Sequence, residues 1–167
     1  MAVYWITGLS GAGKTTIGRE YYLYLKSSID NVVFLDGDEL REIMGGDFGY
    51  ELLERKRLAH SYAKLSKMLS DQRIHVVIAT ISMFNEVREW NRCNIENYVE
   101  IYIKVPIEIL IERDQKNLYS KNKKNIVGFN IHMEEPLNPD IVIFNDGLKS
   151  PKELVAKMLT DLRPKDK

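Results

Sequence analysis

Residues 8–15 read Gly-Leu-Ser-Gly-Ala-Gly-Lys-Thr, with Gly8, Gly13, Lys14 and Thr15 at the fixed positions of the phosphate-loop pattern G-x-x-x-x-G-K-[ST]. Such a loop works through its backbone. Glycines let N–H groups curl around phosphate oxygens where a Cβ would block the approach. Leu9, Ser10, Gly11 and Ala12 supply the rest of the loop backbone, and Thr16 continues into a helix whose N-terminus favours anions. Lys14 has the reach for terminal phosphates, and the Thr15 hydroxyl suits Mg²⁺. A glycine-rich turn with a chance lysine would not need a strand before it and a helix after it. This chain has both. The loop implies a nucleoside triphosphate, ATP with Mg²⁺, and leaves open what becomes of it.

A second group follows the apolar run Asn31–Leu35: the acids Asp36 and Asp38 flank Gly37. In an open parallel sheet the functional loops gather at the carboxyl ends of strands, so both acids belong on the rim that carries the phosphate loop. Acids there hold metal-bound waters or take a proton from an attacking hydroxyl. Asp38 alternatively caps a helix over Glu39–Met44. Further along, Glu54, Arg55, Lys56 and Arg57 form a charge cluster that is mostly a solvated face. One arginine turned to the rim would suit a substrate phosphate. Ile81-Ser82-Met83-Phe84 follows another apolar strand and falls on the same rim.

The elements that must position these residues alternate regularly. Strands are predicted at Val3–Thr7, Asn31–Leu35, within Arg73–Thr80, at Tyr98–Lys104 and at Asp140–Phe144. Helices are predicted at Lys14–Ser27, Glu39–Met44, Glu51–Asp71 and Asn85–Cys93. Two more run from Pro106 to Arg113 and from Pro151, with Ser150 as cap. Leu52, Leu58, Tyr62, Leu65 and Leu69 give the long helix an apolar face. Between Gly45 and Tyr50, two aromatics among three glycines suit a rim that closes over a flat ligand. Residues 114–139 are polar, with lysines at 116, 121, 123 and 124, and suit a lid that excludes water. The expected fold is α/β: a five-stranded parallel sheet with helices on both faces and a lid, the plan of P-loop kinases. Residues 1–167 are expected to form one domain.

Composition narrows the partners. The chain has 24 basic and 24 acidic residues, so a general nucleic-acid-binding surface is not expected. Cys93 is the sole cysteine, which excludes an intrachain disulfide, and is expected to be a buried, inert thiol. No apolar run is long enough for a membrane span, and the N-terminus enters a strand at once, so a cytoplasmic protein is expected.

Several stretches together resemble adenylylsulfate (APS) kinase, which phosphorylates the 3′-hydroxyl of adenosine 5′-phosphosulfate. They are WITGLSGAGKTT, FLDGDELR, the ISMF rim, YVEIYIKVPIEILIERDQKNLY and KSPKEL, in family order over nearly the whole chain. The resemblance implies that Gly8–Thr15 hold ATP and Mg²⁺, that Asp36 supports the metal, and that Asp38 sits by the attacking hydroxyl as base or orienting group. It places Arg41, Arg55, Ile81 and Ser82 on the acceptor, sandwiches the acceptor's base between Tyr50 and Phe129, puts Lys116 in the lid, and sets Arg113 near the ATP base. Family members are often dimers, which makes a homodimer an option.

The departures from the family pattern lie on the acceptor side. Leu58 stands for an asparagine, Met83 for a proline, and Phe129-Asn130-Ile131 for F-T-G-I. A leucine cannot read the base edge that an asparagine reads. APS is the nominal acceptor. Cytidine diphosphoramidate, the acceptor of a related kinase that serves capsule phosphoramidate modification, is the alternative. A nucleotide-binding regulatory module and a non-catalytic scaffold domain are the rivals of another class.

Overall fold

The computed structural model describes residues 1–44, 51–113 and 134–162. β1 (Ala2–Thr7) leads into α1 (Lys14–Lys26), and β2 (Val32–Asp36) into α2 (Gly37–Ile43). α3 (Leu52–Asp71), β3 (His75–Ala79), α4 (Asn85–Asn94) and β4 (Asn97–Lys104) follow. α5 (Ile107–Arg113), β5 (Ile141–Phe144) and α6 (Pro151–Leu162) complete the order. The strands form one parallel sheet in the order β2-β3-β1-β4-β5. The expected α/β P-loop kinase architecture is therefore present. The lid lies mostly outside the described residues.

β1 shows why both faces must be covered. Successive side chains of a strand point to opposite faces. Val3 and Trp5, both fully buried, join Leu40, Leu58, Tyr62, Val76 and Val87 in one core cluster under α2, α3 and α4. Tyr4 and Ile6 join the other cluster with Ile17 and Tyr21 of α1, Leu110 of α5 and Leu154 and Met158 of α6. Burying a side chain of this size contributes about 1.5–3 kcal/mol. β1 holds the centre of the sheet because it is apolar on both faces.

Helix starts follow local chemistry. Glu54 accepts from the Glu51 N–H at the start of α3. At α6, Glu153 accepts from the Ser150 N–H and hydroxyl, at 2.8 and 2.7 Å, while Ser150 Oγ accepts from the Glu153 N–H. This reciprocal pair satisfies donors that a helix terminus leaves open.

Three expectations need correction. Cys93 is exposed, because it falls on the outer side of α4. α2 begins at Gly37, two residues early, because its cap is Asp36 rather than Asp38. Leu52 is 55% exposed, and the buried face of α3 is Leu58, Ala59, Tyr62, Ala63 and Ser66. The charged Arg88 is buried, because α4 turns it onto Glu100 of β4. Among the described residues, no helix is long and apolar enough to cross a membrane.

Candidate active site

The phosphate loop hangs between the end of β1 and the first turn of α1. A Cβ at Gly8 would lie 2.5 Å from the carbonyl oxygen of Ile103, so only glycine lets the loop leave β1 beside β4. Gly13 precedes α1 at φ 89°, left-handed backbone that a side chain rarely adopts. No acidic residue lies in the first turn of α1, and Thr15 and Thr16 are exposed there. The helix end therefore keeps its partial positive charge for an anion. Lys14 Nζ donates to the Leu9 carbonyl at 2.7 Å, which places its ammonium over the loop.

Asn145, at the end of β5, braces the loop from behind: its Nδ2 donates to the Ala12 carbonyl at 2.9 Å. Arg113 Nη2 in turn donates to the Asn145 carbonyl and Oδ1 at 3.2 and 3.3 Å. Arg113 is thus tied to the phosphate loop through Asn145, a residue whose bracing role sequence reasoning missed. The signal was its place at a strand's carboxyl end.

Asp36 and Thr15 are joined directly, with the Thr15 hydroxyl donating to Asp36 Oδ2 at 2.6 Å. The other carboxylate oxygen accepts from the Asp38 N–H at 2.8 Å. Asp36 is 7% exposed, so this carboxylate is a fixed, inward acceptor. Asp38 sits one residue into α2 with an exposed side chain, and Arg41 lies in the last turn of that helix. Tyr62 of α3 donates to the Gly37 carbonyl at 2.8 Å. Burial pushes its phenol up to about 12, Arg41 opposes the shift, and Asp38 and Asp36 add to it. These four groups therefore share one neighbourhood.

The hydroxyl and carboxylate of Thr15 and Asp36 fit Mg²⁺, a hard cation that takes oxygen ligands and keeps several waters. Among the described residues, no group of three or more His, Cys, Asp or Glu has a metal-holding arrangement.

Ile81 and Ser82 are pinned to the same strand ends. The Thr7 hydroxyl donates to the Ile81 carbonyl, and the Thr80 N–H donates to Ile6 at 2.9 Å. The Ser82 hydroxyl lies 2.8 Å from that of Thr80. Ser82 takes φ 24°, and Met83 beside it is 2% exposed within the core. Arg55, in the first turn of α3, is half-buried. Leu58 is 3% exposed and packs in the core with Trp5 and Tyr62, so its substitution changes packing before it changes a ligand contact. Tyr50, Lys116 and Phe129 lie outside the described residues.

A family model for adenylylsulphate kinase matches residues 1–144. The chain belongs to the adenylylsulfate kinase family. It is 46% identical over 164 residues to the cytidine diphosphoramidate kinase of Campylobacter jejuni, covering 94% of this chain and 95% of that protein. It is 38% identical over 171 residues to the adenylyl-sulfate kinase of Thermodesulfovibrio yellowstonii, covering 98% and 84%. Its backbone matches the Mycobacterium tuberculosis APS kinase CysC in complex with AMPPNP and APS, with TM-score 0.86, 26% identity and 96% of each chain covered. A nucleotide kinase of the adenylylsulfate kinase family uses ATP as donor, which accords with the glycine cradle and helix end described above.

Proposed function

We propose that this chain is a cytoplasmic, single-domain kinase that moves the ATP γ-phosphoryl group to the ribose 3′-hydroxyl of cytidine diphosphoramidate. The observation that carries the choice of acceptor is similarity. Identity to the cytidine diphosphoramidate kinase is 46%, against 38% for the adenylyl-sulfate kinase of Thermodesulfovibrio yellowstonii. APS, the nominal acceptor from motifs alone, becomes the competing reading.

The chemistry needs little covalent help from the protein. Phosphoryl transfer is accelerated mainly by positioning and by neutralising charge. Backbone N–H groups of Gly8–Thr15 and the N-terminus of α1 hold the donor phosphates, and Lys14 balances charge on the terminal ones. Thr15 and Asp36 would hold Mg²⁺, which would supply positive charge against the phosphates. Asp38 accepts or orients the proton of the attacking ribose hydroxyl. Arg41, Arg55, Ile81 and Ser82 bind the acceptor, as do Tyr50, Lys116 and Phe129, which lie outside the described residues. Arg113 flanks the ATP base.

The test is direct. Purified protein is given ATP·Mg²⁺ with cytidine diphosphoramidate or with APS, and kcat/KM is measured for each. The expected result is a preference of tenfold or more for the cytidine conjugate. A preference for APS would reverse the assignment, and ADP release independent of any acceptor would support a regulatory ATPase.

A further inference from the structure

We propose that the Tyr62 hydroxyl is a positioning group for the Asp36-Gly37-Asp38 turn, and that with Thr80 it clamps this turn against the Ser82 rim. The inference rests on the reading that Asp38 acts at the acceptor hydroxyl.

Gly37 is held from two sides. On one side, Tyr62 donates to its carbonyl at 2.8 Å. On the other, a Cβ at Gly37 would lie 3.0 Å from Thr80 Oγ1 and 3.1 Å from the Ala79 carbonyl oxygen, so the peptide rests directly on the end of β3. The same Thr80 hydroxyl is 2.8 Å from Ser82 Oγ. One continuous set of contacts therefore runs from α3 through Gly37 and Thr80 to Ser82. It crosses the site between the acid that faces the attacking hydroxyl and the rim that faces the acceptor. A shift in either strand end would move both together.

The rest of Tyr62 does not need its hydroxyl. The residue is 3% exposed, and its ring packs with Trp5, Leu40 and Leu58. A phenylalanine ring fills the same space. A buried hydroxyl among apolar side chains is costly unless it is bonded, and here its bond goes to the turn between two acids. Burial holds the phenol neutral, so it stays a donor across the working pH range.

Tyr62→Phe separates placement from packing. The expected variant is folded, with the ATP·Mg²⁺-induced rise in Tm and the KM for ATP within twofold of the parent. Its kcat is expected to fall roughly ten- to a hundredfold, the scale of a small misplacement of reacting groups. Thr80→Val tests the clamp from its other side and is expected to raise the acceptor KM with the ATP KM unchanged. Folded Tyr62→Phe with kcat within twofold of the parent overturns the proposal. So does an equal loss of ATP affinity and turnover, which marks a merely structural hydroxyl. If Tyr62→Phe does not fold, an unchanged acceptor KM in Thr80→Val overturns it instead. Asp38→Asn checks the underlying reading separately: normal turnover there removes the reading, whereas an inactive Asp38→Asn beside a normal Tyr62→Phe removes only the clamp.

Discussion

Arg88 Nε lies 3.3 Å from Glu100 Oε1, with the two side chains 4% and 3% exposed. Arg88 also donates to the Glu134 carbonyl at 2.6 Å, so α4, β4 and the chain that leads into β5 meet at one guanidinium. Arg92 shares Glu100 at 3.0 Å and reaches Asp140 at 3.1 Å. Burial pushes Arg88 down and Glu100 up, while the opposite charges resist both shifts. Removing Arg88 takes away one of the two cations that face the buried Glu100, and removing Glu100 leaves the Arg88 charge buried without it. Arg88→Met is expected to cost about 3–5 kcal/mol in urea unfolding. Arg88→Met with Glu100→Leu is expected to recover most of that loss. A single variant as stable as the parent would show that the pair contributes nothing.

Lys14→Ala removes the charge over the phosphate loop. Turnover is expected to vanish, and the rise in Tm on adding ATP·Mg²⁺ to shrink. That rise reports binding to the native state, about 2.7 kcal/mol at a ligand concentration a hundred times Kd. Asp38→Ala is expected to lose turnover while keeping the thermal shift. Thermal scans beside a coupled ADP assay separate the two outcomes, and an undiminished shift in Lys14→Ala would count against the donor site.

Asp36 does two jobs that two substitutions pull apart. It caps α2 by accepting from the Asp38 N–H, and it accepts from the Thr15 hydroxyl. Asn caps a helix nearly as well as Asp, whereas Ala costs about 1 kcal/mol. Asp36→Asn is therefore expected to keep the parent Tm yet need more Mg²⁺ for half-maximal rate. Asp36→Ala is expected to lose on both counts. Equal Mg²⁺ requirements in all three proteins would separate Asp36 from the metal.

His75 gives the fold an acid-side dependence. Its Nδ1 accepts from the Ala2 N–H at 3.2 Å, which requires that nitrogen to be unprotonated. Burial, then the nearby N-terminal amine, lowers its pKa from 6.5. The folded state thus favours the neutral ring. Its contribution is whole above pH 6.5 and is lost as pH falls through the lower folded-state value. The Tm of the parent should fall more steeply on acidification below about 6.5 than that of His75→Gln, whose carbonyl accepts without titrating. Parallel Tm curves for the two proteins would rule this out.

The strands were legible because β1, β3 and β4 are apolar runs of the right length, and the phosphate loop because its glycines do one job. Asp38 was weighed as the cap of α2 where Asp36 holds that place, because a strand end and an N-cap can be one residue. Arg88 was unreadable for a different reason. Helical spacing places it beside polar neighbours, and its burial depends on Glu100, twelve residues away on the face of β4 that α4 happens to cover. Tyr62 was placed on the apolar face, which its ring confirms. Nothing in the spacing says that its hydroxyl meets Gly37, because that contact joins segments 25 residues apart. Local chemistry is readable from order, whereas contacts between elements follow from packing.

The central position of β1 also dictates when the site can come into being. β1 is made first, yet its two neighbours in the sheet are β3 and β4, which begin at His75 and Asn97. Gly8 is seated against Ile103. Such pairings close long loops and give the fold a high contact order, the kind associated with slower folding. During synthesis the phosphate-loop sequence precedes its walls, which are complete only once Asn145, its brace, has been added. Until then the emerging polypeptide carries the nucleotide motif without a nucleotide site.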